Sequence, residues 1–401
     1  MKPIKLNTST WGSGKTSSMY TSIKEALKTS SNVIIVGCSL KQLDTYYSTL
    51  GVGIICSSTK SPYKVKSQII SALKRTKVVY CTSQGFSAIR DTDSIDFDNT
   101  IVYYDEVPNV MNTQEMSTGE NDTTILSKND DAQESAVLEG SFTINSISVS
   151  LLSEFICPWK SLTIYAANGM VTPFGRLLEL SGIPFEIIAD FEPVDFSNVK
   201  VLCPNIGSSK LTKQLKYENP YIFKSMYQTI AIMYPDSKYV YISNKYDPAI
   251  KTRNAIRMPH NVAGDNDYRH IHIMAMFSTL NLTPAATKKM CERFQCDYDY
   301  LTTLISVSIL MQSAFRTSMR DTINSGECVV VADAYLIKLA VKYGFIKNAN
   351  IEYFDIIEPK SVVAARIRAD KKKNKKKDEK ARKKCIQSKT IAEMQSKKYV
   401  E

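Results

Sequence analysis

The chain has 401 residues, 43% of them apolar, and a formal net charge of +11. It is long enough for two or three domains with ordinary cores. No apolar run reaches the roughly 18 residues of a membrane span and no apolar leader opens the sequence, so a soluble, unexported, cytoplasmic protein without membrane contact is expected. Nine cysteines without a C-x-x-C pair fit reduced thiols, and Cys291 and Cys296 lack the partner pair and histidines of a zinc site, so no structural metal is expected. The charge is localised: residues 361–401 hold twelve Lys and three Arg against five acids, a net +10, leaving about +1 for the rest. The tail, with Lys371, Lys372 and Lys373 opening its longest basic run, could hold a nucleic-acid backbone through counterion release, serve as a localisation signal, or only solubilise the chain.

Residues 4–20 set the organisation. Ile4 to Tyr20 read as a short apolar strand running into a Gly-rich turn, Gly12-Ser13-Gly14-Lys15-Thr16, and then a helix, with Gly12 to Ser17 the candidate nucleotide contacts. Glycines let backbone N–H groups curl around phosphate oxygens, the helix aims its positive end at them, Lys15 can reach the terminal phosphates, and the Thr16 hydroxyl can bind Mg²⁺. The loop opens with Ser9 where the usual pattern has Gly.

Further along, Asn32–Cys38 and Val78–Gln84 each read as a buried parallel strand followed by polar residues: Ser39, Lys41 and Gln42 after the first, Thr82, Ser83 and Gln84 at the end of the second. Ligands of open α/β sheets bind at that edge, although polar residues there are also ordinary helix caps. Thr100–Pro108 is a third strand ending in paired acids. Asp105 is placed to hold a metal and Glu106 to polarise an attacking water as general base. Residues 112–145, acidic and rich in Thr, Ser and Asn, read as an inserted loop or small excursion on the first domain, partly disordered. The strand Ser161–Asn168 ends at Asn168, a candidate either to sense the nucleotide or to couple to nucleic acid.

A second α/β series begins after Glu192-Pro193, with the boundary near residue 195. Its strands are Val199–Cys203, Lys238–Asn244, Ile271–Phe277, Cys328–Ala332 and Ile351–Ile357, with helices at Tyr221–Met233, Pro284–Phe294 and Tyr298–Arg320. On one continuous helix Gln312, Arg316 and Arg320 would be spaced i, i+4, i+8 and share a face. Two guanidinium groups facing a triphosphate across a cleft can neutralise charge developing on the γ-phosphate. Pro259–Arg269, with Gly264, reads as either a cleft contact or a turn, and His260, His270 and His272 as structural.

With these residues the chain resembles a superfamily 2 helicase core, in the style of the compact DEAD/DEAH-like helicases of phages and viruses. Motif I falls on Ser9–Thr16, motif II on Asp105–Pro108, motif III on Ala166–Asn168, motif V on Gly264–Asn266 and motif VI on Gln312–Arg320. The resemblance implies two tandem RecA-like domains of α/β class, at 1–195 and 196–360, with a Lys-rich extension at 361–401. It implies ATP and Mg²⁺ as cofactors, nucleic acid as partner, and replication-complex proteins as further candidates. In a phage the location would be the bacterial host cytoplasm. Strand contacts are expected at Ser39, Thr82, Ser243 and Asn244. Motif VI has an extra residue before Arg320, motif III lacks its Ser/Thr-Ala-Thr form, and with only a few residues before the first strand an upstream adenine-reading Gln motif is not expected, so selectivity for ATP is what the resemblance implies. Two alternatives stay open: a genome-packaging ATPase with a nuclease lobe using Asp297, Asp299 and Asp333, and a non-catalytic nucleotide-switched origin-binding or scaffold protein.

Overall fold

The computed structural model describes residues 2–57, 64–89, 94–108, 111–117, 143–149, 158–206, 210–244, 247, 250, 252–259, 267–278, 284–357 and 379. The first half runs β1 (Ile4–Asn7), α1 (Lys15–Leu27), β2 (Asn32–Gly37), α2 (Leu40–Leu50), β3 (Ile54–Cys56), α3 (Val65–Arg75), β4 (Val78–Thr82), α4 (Ser83–Ser87) and β5 (Thr100–Asp105). It continues with β6 (Met111–Ser117), β7 (Thr143–Val149), β8 (Ser161–Tyr165), α5 (Pro173–Ser181) and β9 (Phe185–Ala189). Seven of these strands form a parallel sheet in the order β3-β4-β2-β5-β8-β1-β9. Alternation along β2 shows why it is central. Val33 and Ile35 enter the core on one face, Ile34 and Val36 the core on the other, and all four are fully buried. Burial on both faces explains the continuous β-branched run.

The second half runs β10 (Val194–Asp195), β11 (Lys200–Asn205), α6 (Lys213–Glu218), α7 (Pro220–Met233), β12 (Tyr239–Ile242), β13 (Ala255–Arg257), β14 (Ile273–Met276), α8 (Pro284–Phe294) and α9 (Tyr298–Thr302). A π-helical turn (Thr303–Val307) leads into α10 (Ser308–Ala314), α11 (Met319–Thr322), β15 (Val329–Ala332), α12 (Ala334–Lys342), β16 (Ile346–Lys347) and β17 (Ile351–Asp355). Six strands form a second parallel sheet, β13-β12-β14-β15-β11-β17, again with an apolar core on each face. The protein is thus of the expected α/β class, with two parallel sheets flanked by helices. No helix among the described residues is long and apolar enough to cross a membrane.

Three features go beyond the sequence reading, and the second of them corrects it. The ends of the stretch 112–145 belong to β6 and β7, which pair antiparallel from Met111↔Val149 to Ser117↔Thr143; residues 118–142 lie outside the described ones. The segment expected as one helix from Tyr298 to Arg320 is broken. It passes through the π turn, stops at Ala314, and restarts at Met319. Finally, the two halves share a core: Met290, Phe294, Leu301 and Leu304, from α8, α9 and the π turn, are buried in the apolar cluster of the first sheet. Arg176 on α5 fastens this contact, donating through Nε to the Phe294 carbonyl at 2.8 Å and through Nη2 to that of Gln295 at 3.0 Å.

Candidate nucleotide site

Strand order brings the two candidate motifs together. β1 and β5 flank β8, so the loop after β1 and the acids ending β5 emerge at the same sheet edge, one strand apart. Gly12 (φ 78°) and Gly14 (φ 82°) take the left-handed conformation that a side chain resists, and this lets the loop wrap before α1. Gly14 caps α1 without any side-chain acceptor for the first-turn N–H groups. Those groups and the helix dipole suit an anion. Lys15 Nζ donates to the carbonyls of Ser9 and Thr10 at 2.8 Å each, so the ammonium lies folded over the loop. Burial pushes it down to about 8 against the pull of Glu106 and Asp105.

Asp105 is buried, and its Oδ2 accepts from Gln42 Nε2 at 2.9 Å and from the Tyr46 hydroxyl. Burial, then the Glu106 charge, raises its carboxyl to about 6, while the Tyr46 hydrogen bond works in the opposite direction. Gln42, placed by the sequence only among the polar residues at the ligand edge, and Tyr46, which the sequence reading passes over, are spaced i, i+4 on α2, and that spacing on the helix after β2 is the signal that could have paired them. Glu106 has φ 74°, a left-handed conformation costing a non-glycine residue about 1 kcal/mol or more. Its N–H donates to the Tyr165 carbonyl at 2.9 Å. Such strain at the end of a strand turns its side chain out of the β register.

The second half supplies the opposite wall. Arg316 Nη2 pairs with Glu106 Oε1, and Gln312 Nε2 donates to Glu106 Oε2 at 3.3 Å. Arg320, half-buried, is pushed below the usual guanidinium value by burial and then by the Arg316 charge. The three side chains converge although they do not share a helix: Gln312 is on α10, Arg316 in the turn after it and Arg320 on α11. A cavity of about 60 Å³ is lined by Gly12, Gly14, Lys15, Thr16, Asp105, Glu106, Arg316 and Arg320, with Trp11, Ala167 and Phe315. Trp11 is another residue that the sequence reading passes over.

Other candidates lie elsewhere or do local work. Ser13 and Ser17 are exposed and line no part of this cavity; the Ser13 hydroxyl meets that of Ser9 at 2.9 Å. Ser39 caps α2, accepting from Gln42 N, and Thr82 caps α4, accepting from Gly85 N. Ser243 and Asn244 are buried at the end of β12, where Asn244 Oδ1 accepts from Lys216 Nζ at 3.1 Å. Asn168 is buried beside the phosphate loop, with φ 49° and its N–H on the Thr8 carbonyl at 2.9 Å. Asp297 and Asp333 cap α9 and α12, and Asp299 accepts from the Tyr335 hydroxyl at 2.6 Å. Among the described residues no three of His, Cys, Asp or Glu group as a metal cluster, so these three aspartates do not form a two-metal site. His272 Nδ1 meets the Ser318 hydroxyl at 2.9 Å, a structural contact. His260, Gly264–Asn266 and Lys371–Lys373 lie outside the described residues.

A magnesium–triphosphate suits this donor set. The loop N–H groups and Lys15 are anion donors, while the Thr16 hydroxyl and the Asp105 carboxylate are hard oxygens of the kind Mg²⁺ takes together with phosphate oxygens. The hydrogen bonds from Gln42 and Tyr46 to the Asp105 carboxylate both fall on Oδ2.

No protein-family model matches the chain, and no curated protein does. Solved structures do. A structure described as XPD helicase is 9% identical, covering 88% of this chain and 91% of its own at a TM-score of 0.48. A Saccharomyces cerevisiae Dbp5 variant bound to RNA and ADP BeF3 is 10% identical, with 88% and 85% covered and a TM-score of 0.42. The Hef helicase domain of Pyrococcus furiosus is 10% identical, with 85% and 94% covered and a TM-score of 0.37.

Proposed function

We propose that the chain is an ATP-dependent motor on nucleic acid, a helicase or translocase, acting on DNA in the replication or recombination of a viral or phage genome. One observation carries the hydrolase part: a glycine loop with its lysine, a buried aspartate beside a strained glutamate, and two arginines from the other sheet line a single cavity. The DNA and viral parts rest on the motif resemblance. In this reading residues 1–195 form the nucleotide-binding domain, 196–360 the second domain, and 361–401 a basic tail holding the nucleic-acid backbone.

The side chains divide the work as follows. The loop N–H groups and Lys15 bind the phosphates, and Lys15 exchanges the Ser9 and Thr10 carbonyls for phosphate oxygens. Gln42 and Tyr46 hold Asp105 in one orientation. Arg316 exchanges Glu106 for the γ-phosphate, and this frees the Glu106 carboxylate to take a proton from the attacking water. Arg320 adds a second positive charge on the same side. Mg²⁺, when bound, neutralises charge on the phosphate oxygens next to Thr16 and Asp105.

The test is ATP turnover with and without single-stranded DNA, for the full chain and for Glu106→Gln. The motor reading expects DNA to raise the rate and the substitution to abolish it. If DNA leaves the rate unchanged the motor reading fails while an ATPase remains, and if Glu106→Gln turns over like the wild type the assignment of the base fails.

A further inference from the structure

Trp11 stands inside the phosphate loop, yet its ring belongs to the second half of the protein, packing against the core built on the second sheet. It stacks on Phe315 with centroids 5.0 Å apart and ring planes 8° from parallel. Phe345 stacks beside it at 6.2 Å, and Phe191, in the segment joining the two sheets, meets it edge-on at 5.2 Å. The four rings therefore come from four separate segments. Phe315 lies between Gln312 and Arg316, where α10 ends, and its N–H donates to the Met311 carbonyl at 3.0 Å.

The backbone on either side of Trp11 is also tied. Thr10 Oγ1 donates to the Glu192 carbonyl at 3.0 Å. Gly12 faces Arg320: an added Cβ would be in ordinary contact with it, 3.4 Å from its carbonyl oxygen and 3.5 Å from its Cγ. Lys15 is bonded to the carbonyl of Thr10, the residue just before Trp11. A phosphate that draws Lys15 away thus removes a restraint at the base of the stacked ring.

We propose that Trp11 is a positioning residue which, acting through Phe315, sets Arg316 and Arg320 against the phosphate loop and passes the loop's state to the arginine segment. The proposal rests on the triphosphate-hydrolase reading above. A ring that only fills space would affect folding or nucleotide affinity; one that sets the arginines affects the chemical step, where a misplacement of about 1 Å costs on the order of 100-fold.

The experiment measures steady-state ATP hydrolysis by the full chain for Trp11→Ala, Trp11→Phe and Phe191→Leu, with thermal melting alongside. Trp11→Ala is expected to lower kcat about 10- to 100-fold with KM changed less than about threefold. Trp11→Phe, which keeps a stacking ring, should recover most of kcat, and Phe191→Leu, which leaves the Phe315 stack in place, should cost less than about threefold. If Trp11→Ala does not fold, Phe315→Leu takes its place. The proposal is overturned if the loss appears in KM alone, if phenylalanine does not rescue, or if Phe191→Leu is as damaging. Wild-type protein with no triphosphatase activity overturns the hydrolase reading and this proposal with it; wild-type turnover with an unchanged kcat in Trp11→Ala overturns this proposal alone. A second readout is independent of hydrolysis. The chain has two tryptophans, so in Trp159→Phe protein the emission of Trp11 should shift on Phe315→Leu, and no shift refutes the stack.

Discussion

Replacing Asp105 by Asn should stabilise the metal-free protein while destroying its activity. The carboxyl is raised from 3.8 to about 6, chiefly by burial and then by Glu106. An acid with a folded-state pKa above its unfolded one binds its proton more tightly in the folded state. It therefore costs nothing below the unfolded value, and its destabilisation grows as pH rises between the two values and is complete above the folded one. The gap of about two pH units corresponds to roughly 3 kcal/mol at neutral pH. The asparagine amide would carry no charge to desolvate, and its carbonyl could still accept from the Tyr46 hydroxyl. Thermal melting in the presence of a chelator, from pH 8 to pH 5, reads the effect. Asp105→Asn should melt several degrees above wild type at pH 8, and the gap should begin to narrow as pH falls through about 6 and be roughly halved at pH 5. A variant less stable than wild type at pH 8, or a gap that does not change with pH, would refute the account of Asp105 as a charge held in the interior at the expense of stability.

Three further outcomes are expected. Because burial lowers Lys15 to about 8, it should react with an amine-selective reagent at pH 8 faster than the exposed lysines, and ATP should protect it; peptide mapping by mass spectrometry checks both. Gly14→Ala forces a side chain into a left-handed position and should cost about 1 kcal/mol of stability and most nucleotide affinity, measured by melting and by titration calorimetry. Protein ending at Pro359 should bind single-stranded DNA more weakly and with a shallower salt dependence, while its saturated ATPase rate is unchanged; fluorescence anisotropy across a salt series, beside turnover, separates the two.

What could be read from the sequence was local. A short apolar strand followed by two glycines and a lysine admits few structures, and the apolar β-branched runs of β2, β4 and β5 are buried on both faces, so their composition alone marks them. The acids ending β5 were visible because a strand that apolar rarely stops on two charges. The break in the arginine segment was not visible. The i, i+4, i+8 spacing of Gln312, Arg316 and Arg320 suits a continuous helix, but Thr317 Oγ1 donates to the Ala314 carbonyl at 2.6 Å and Ser318 N–H donates to the Ile271 carbonyl at 3.0 Å. A side chain and the distant segment leading into β14 thus take over from the helical ladder. β3 has three residues and an exposed Ile54, so it lacks the run that betrays a strand. Gln42 and Tyr46 read as an ordinary helix start because their partner, Asp105, is 63 and 59 residues away. The polar ribbon of β6 and β7 lacks the apolar alternation by which a strand is recognised.

The apolar residues of α8, α9 and the π turn that sit in the first core make the halves unequal in their independence. A fragment ending near residue 195 would uncover the surface of α5 and its neighbours that Met290, Phe294, Leu301 and Leu304 close off, and would present it to solvent as an aggregation site. Cutting the protein at its sequence midpoint therefore leaves the amino-terminal piece unsealed.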